Sequence, residues 1–199
     1  MIGQIKKYVK KRKNIVLFKR NNPNVFYCND LILRLPQYIK CGKNVVIGEN
    51  SRLLCWDSYQ MNIFDKKPEI IIGNNVHITR NLTLQCARRI WIGNDVLLAS
   101  DIFITDYNHG MNPLKKNYLD NELSVSDGVI IKDGVWIGND VLIMPGVTVG
   151  EKSIIGAGST VTKNIPPYCI AVGNPARVIE KYDISLEKWI NIKVGDRNV

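Results

Sequence analysis

What this sequence lacks narrows it first. No apolar run approaches the roughly 18 residues that a membrane-spanning helix needs, which excludes such a helix. Its five cysteines (Cys28, Cys41, Cys55, Cys86 and Cys169) are odd in number and form no Cys-x-x-Cys pair. That argues against a disulfide framework or a zinc knuckle and fits a reducing cytoplasm. Histidine is scarcer still: with only His77 and His109, a zinc centre on three histidines is excluded. Aromatic residues make up 8% of the chain, so its core has to be largely aliphatic. No secretory leader is expected either, because the basic residues from Lys6 to Lys13 precede only a short apolar patch at 15–18.

Acidic groups are missing from the first 20 residues, which hold Lys6, Lys7, Lys10, Lys11, Arg12, Lys13, Lys19 and Arg20. These eight belong to a total of 27 Lys and Arg, so the remaining 19 nearly balance the 18 Asp and Glu. The net charge of +9 is therefore a property of one segment. Such a segment either touches an anionic surface, such as the inner membrane leaflet or a phosphate-bearing lipid-linked substrate, or is a solvated helical lead-in. It matches no nucleic-acid reader motif. At 199 residues and 45% hydrophobic content, the chain reads as one globular domain with a small appendage.

What is present is a repeat. Ile131, Ile137, Ile143, Val149, Ile155 and Val161 stand six apart without a break. Ile72, Ile78 and Leu84 keep the same step, as do Ile92, Leu98 and Ile104, with a two-residue offset expected as a small bulge near 88–90. A period of six belongs to neither a helix nor a hairpin ladder. Each hexad gives a short strand with one inward aliphatic residue and then a corner. Gly-Asn-Asn at 73–75 and Gly-Asn-Asp at 93–95 and 138–140 suit corners, because Gly, Asn and Asp tolerate positive φ. Three strands per turn make a parallel β-helix whose stacked turns bury one another's aliphatic residues. A sandwich of short strands is the alternative, and unbroken hexads disfavour it. The expected division is a basic segment over 1–40, the coil over 41–179 with a loop at 105–128, and a tail over 180–199.

Several motifs carry a resemblance. Pro145-Gly146-Val147-Thr148-Val149-Gly150, Ile155-Gly156-Ala157-Gly158-Ser159, Val161-Thr162-Lys163-Asn164-Ile165-Pro166 and Gly173-Asn174-Pro175-Ala176-Arg177 resemble the C-terminal half of hexapeptide-repeat acetyltransferases. The galactoside, maltose and capsular-sugar O-acetyltransferases are the most similar type, over about residues 45–180. The resemblance implies an all-β fold, a left-handed parallel β-helix with a protruding loop and short terminal helical segments. Handedness comes from the resemblance alone, since strand crossovers are ordinarily right-handed. It also implies a homotrimer with active sites between neighbouring coils, acetyl-CoA as co-substrate and no metal. The acceptor would be a hydroxyl of a sugar or cell-surface polysaccharide precursor.

The hexads stop after Ile104 and resume near Ile131, and a non-repeating loop of that length is more often functional than idle. It opens with Asp106-Tyr107-Asn108-His109. By its residues alone, His109 is either a general base or an ordinary loop histidine; the resemblance implies the base. A neutral imidazole can take a sugar hydroxyl's proton as that oxygen attacks a thioester. Asp106 is expected to fix its tautomer by accepting from the other ring nitrogen. Trp136 matches a tryptophan near the thioester in relatives, or else fills a groove between subunits. By resemblance, Asn139 and Ala157 line the pantetheine arm, Thr162 and Lys163 the adenosine end, and Arg177 the 3′-phosphate. The chain departs at Glu180, where some relatives carry a second arginine, followed here by Lys181. Lys163 and Arg177 are otherwise solvated charges. Asn81 and Asn108 are expected on the acceptor side, although residues 1–45 do not match the acceptor helix of the galactoside type. A serine-type O-acetyltransferase, or a non-catalytic binding or structural β-helix, remains the alternative.

Overall fold

The computed structural model describes residues 2–192. Its body is a three-sided, left-handed parallel β-helix. Face 1 stacks Val25–Tyr27, Val45–Glu49, His77–Arg80, Leu97–Ser100, Trp136–Ile137, Ile154–Ile155 and Cys169–Gly173. Face 2 stacks Ile32–Arg34, Arg52–Cys55, Thr83–Cys86, Phe103–Thr105, Leu142–Ile143 and Thr160–Val161. Face 3 stacks Ile39–Cys41, Glu69–Ile72, Arg89–Ile92, Val129–Ile131 and Thr148–Val149. The hexad positions point inward: Ile78, Leu84, Ile92, Leu98, Ile104, Ile137, Ile143 and Val161 are fully or almost fully buried. Each such side chain contributes on the order of 2 kcal/mol of apolar burial.

Two expected boundaries shift. The ladder begins at Val25, not at residue 41, because Val25↔Val45 and Leu33↔Leu53 are already in parallel register. The offset near 88–90 is not a strand bulge: Arg89–Ile92 pairs regularly with Glu69–Ile72. The extra residues sit at the corner, at Ala87 and Arg88, where the carboxylate of Asp106 binds their amides.

The helix α1 (Ile2–Asn21) closes the open base of the coil. Its Phe18 is fully buried in the core. Asn22 seals the junction, donating to the carbonyl of Ile39 at 3.2 Å and accepting the amide of Cys41 at 2.7 Å. At the other end Cys169–Gly173 turns back into Ala176–Asp183, which pairs antiparallel with Lys188–Asn191. Residues 193–199 of the expected tail lie outside the described residues.

Candidate functional site

The edge between faces 2 and 3 carries two departures from the coil, at 56–68 and 106–128. Both leave and re-enter at the same edge, so stacking brings them together. The second contains a short antiparallel pair, Tyr107–His109 against Leu123–Val125, with His109 opposite Leu123. Gly110 extends the pairing through its N–H to the carbonyl of Glu122 at 2.9 Å. A Cβ at Gly110 would lie 2.6 Å from that carbonyl oxygen, so the arms can close only over a glycine. His109 is thereby presented at the surface on a strand, not on a slack loop.

Asp106 does not meet the ring of His109. It is fully buried and turned the other way. Its carboxylate accepts the N–H groups of Ala87 (2.7 Å), Arg88 (2.8 Å) and Arg89 (2.7 Å), and the Cys86 thiol donates to it at 3.4 Å. Burial pushes its pKa up against the pull of those backbone donors. Its own carbonyl accepts both the amide and the hydroxyl of Ser126, which ties the two ends of the loop together. The expected tautomer-fixing role of Asp106 is therefore corrected to a structural one. The reason is that the longer corner at 87–88 presents unpaired N–H groups, which a buried carboxylate satisfies.

The group that reaches the imidazole is Tyr59, from the other departure. Its hydroxyl oxygen lies 3.4 Å from His109 Nδ1, and the rings meet edge to face at 5.6 Å. Trp56 opens this segment, with the Arg34 guanidinium 4.0 Å from its ring centre. The break in the hexads between Cys55 and Glu69 marks the segment in the sequence, but nothing there pairs it with a residue 50 positions on.

The remaining expected residues fall on two edges. Trp136 lies on face 1 and is exposed, and Asn139 and Ala157 lie at the edge between faces 1 and 2. Asn81 lies on that same edge in a left-handed conformation (φ 54°), its amide bound to Asp101 at 2.6 Å. Thr162 and Lys163 project from the edge that carries His109. They follow Thr160–Val161, two ladder steps on from Phe103–Thr105, or about 10 Å. Arg177 and Lys181 are exposed on the terminal hairpin, with Arg177 opposite Val172 of face 1. Asn108 is exposed beside His109. One chain therefore does not bring Trp136, Asn139, Ala157 and Asn81 to the His109 edge.

The model of the bacterial transferase hexapeptide family (six repeats) matches residues 128–163. The chain is 31% identical over 171 residues to WbbJ, a candidate O-acetyl transferase of lipopolysaccharide biosynthesis from Escherichia coli (strain K12). That match covers 83% of this chain and 86% of the relative. It is 40% identical over 118 residues to the galactoside O-acetyltransferase of the same organism, covering 59% of this chain and 57% of the relative. Among solved structures it is similar to a maltose O-acetyltransferase from Clostridium difficile 630, at 27% identity and a TM-score of 0.55, over 86% of this chain and 76% of the other. The fold is also that of AntD, an N-acyltransferase from Bacillus cereus solved with dTDP and coenzyme A, at 23% identity and a TM-score of 0.66 over 85% and 89% of the two chains.

Proposed function

We propose what this chain does from one premise: it belongs to the hexapeptide-repeat family of bacterial transferases. It is an acyltransferase, with acetyl-CoA as its co-substrate. The finer reading is direct transfer of the acetyl group to a hydroxyl of a sugar or cell-surface polysaccharide precursor. His109 is the general base. The acceptor O–H gives its proton to the free ring nitrogen as the oxygen attacks the thioester carbonyl. The tetrahedral intermediate then collapses, the C–S bond breaks, and the imidazolium returns the proton to the departing thiolate. The relatives named for lipopolysaccharide and galactoside O-acetyl transfer support a glycan acceptor. A covalent thiol route has no support: none of the five cysteines sits in a nucleophile motif, and burial pushes the Cys41 thiol up to about 12.

The observation that carries this reading is the shared edge of His109, Thr162 and Lys163. An extended thioester laid along it reaches from the imidazole to a cation. The residues fit coenzyme A: Lys163 is an exposed cation for the adenosine end, Arg177 one for the 3′-phosphate, and Ala157 is a small corner residue that lets the arm approach the backbone. The partition of the other expected residues onto a second edge supports a homotrimer, in which Trp136 and Asn139 of one copy face His109 of the next. The run of Lys and Arg along α1 suits peripheral contact with an anionic leaflet; among the described residues no helix is long and apolar enough to cross a membrane. Calorimetric binding of coenzyme A beside dephospho-coenzyme A tests the coenzyme end. Binding should weaken without the 3′-phosphate, and no binding by a trimeric sample would return the chain to a structural β-helix. His109→Ala should abolish acetyl transfer and leave that binding intact; retained transfer overturns the base assignment.

A further inference from the structure

A base needs one ring nitrogen without a proton, and something has to decide which one. With Asp106 engaged elsewhere, we propose that Tyr59 is the positioning residue of this site: its phenol holds His109 as the Nδ1–H tautomer and leaves the Nε2 lone pair free. The inference rests on His109 acting as the base. It follows from counting donors and acceptors. The Tyr59 hydroxyl lies 3.1 Å from the carbonyl oxygen of Leu119 and 3.4 Å from His109 Nδ1. A carbonyl can only accept, so the single phenolic proton goes to Leu119. What faces Nδ1 is then an oxygen lone pair, and that contact is attractive only if Nδ1 carries hydrogen. The edge-to-face packing, at 69° between ring planes, adds a restraint on the imidazole plane.

The surroundings hold the phenol in place. Tyr59 pairs with Asn62 across a tight hairpin whose turn residue Gln60 is left-handed (φ 52°). The Gln60 amide donates to the same Leu119 carbonyl, and the Asn62 amide donates to Glu122 at 3.4 Å. Leu119 sits in the turn Tyr118–Asp120, which Asn117 closes through its backbone and side-chain N–H groups on Asp120 at 3.1 and 3.2 Å. A phenol orients the ring without adding a charge beside it, whereas a carboxylate would do both.

The experiment is ¹⁵N NMR of the histidine rings in the full-length protein at about pH 8.5, above the ordinary imidazole range. With two histidines in the chain, His77→Gln identifies the His109 signals. Wild type should show Nδ1 protonated. Tyr59→Phe should give a mixture of tautomers and lower kcat about three- to tenfold, the span of a neutral hydrogen bond, with KM for acetyl-CoA unchanged. Gln60→Gly removes the other bond to Leu119 and suits a positive φ, and it should leave the tautomer as in wild type. An Nε2–H tautomer in wild type, or an unchanged tautomer in Tyr59→Phe, overturns the proposal. So does a Gln60→Gly variant that reproduces the Tyr59→Phe spectrum, since the effect would then be loop anchoring. Activity retained by His109→Ala would instead overturn the base assignment, whatever Tyr59 does to the ring.

Discussion

Asp106 shows how far a single side chain can depart from the role its neighbours in sequence suggest. Three residues before His109, it reads as the partner of the imidazole, yet it is fully buried beneath three backbone N–H groups of the preceding turn. Asp106→Asn puts an amide NH₂ against some of those donors and should cost about 3 kcal/mol in chemical denaturation. Its pH signature has a definite sign. The folded pKa is raised, by burial first, so the contribution of Asp106 to stability is complete below the ordinary carboxylate range and is lost as pH rises through the folded value. That decline, followed by urea midpoints against pH, should be absent in Asp106→Asn. Its persistence there would place its origin elsewhere. Cys41 gives a second check at this scale. With its thiol pushed up to about 12 by burial, it should resist iodoacetamide at pH 8 in the folded protein and react after unfolding.

At the scale of the element, each corner is a repeated unit with its own chemistry. Between faces 3 and 1 the left-handed residue is Asn44, Asn75, Asp95, Gly134, Lys152 and Tyr168 in successive turns. Asn, Asp and Gly adopt this conformation readily, whereas lysine and tyrosine pay in Cβ sterics. Lys152→Gly should therefore raise stability by about 0.5–1 kcal/mol, read as a higher urea midpoint at an unchanged slope. The same corners are stitched by side chains: Asn74 accepts the Lys43 amide at 2.8 Å, Asn94 the Asn74 amide at 2.9 Å, and Asp133 the Asn94 amide at 2.8 Å. Asn94→Ala breaks this column in its middle and should cost about 1–2 kcal/mol by the same measurement. These corners were legible in the sequence, because the Gly-Asn and Asn-Asp pairs recur in phase with the inward aliphatic residues. The start of the ladder was not. The first turn, 25–41, carries Leu33 and Ile39 inward, but its one corner pair, Asn29-Asp30, follows Cys28 rather than a glycine and stands alone, so no recurring Gly-Asn mark sets its phase.

At the scale of the whole molecule, the proposed site is divided between two edges of one prism, and a neighbouring copy is what would complete it. Activity should fall together with the trimer mass on dilution, followed by light scattering and acetyl transfer on the same samples; a fully active monomer would contradict the shared site. The sequence by itself determined the coil, the chemistry of its corners, the interruption over 105–128 and the single histidine in it. All of these are local, since a six-residue period reports only whether each side chain points in or out. The tertiary structure alone decided that residues 56–68 meet 106–128, that Tyr59 rather than Asp106 reaches His109, and that Asp106 ties one turn to the next. The physical reason is stacking. Two non-repeating segments leave the coil at the same edge, with one intact turn between them, and their contacts depend on how many residues each turn holds. No pattern within either segment encodes that count.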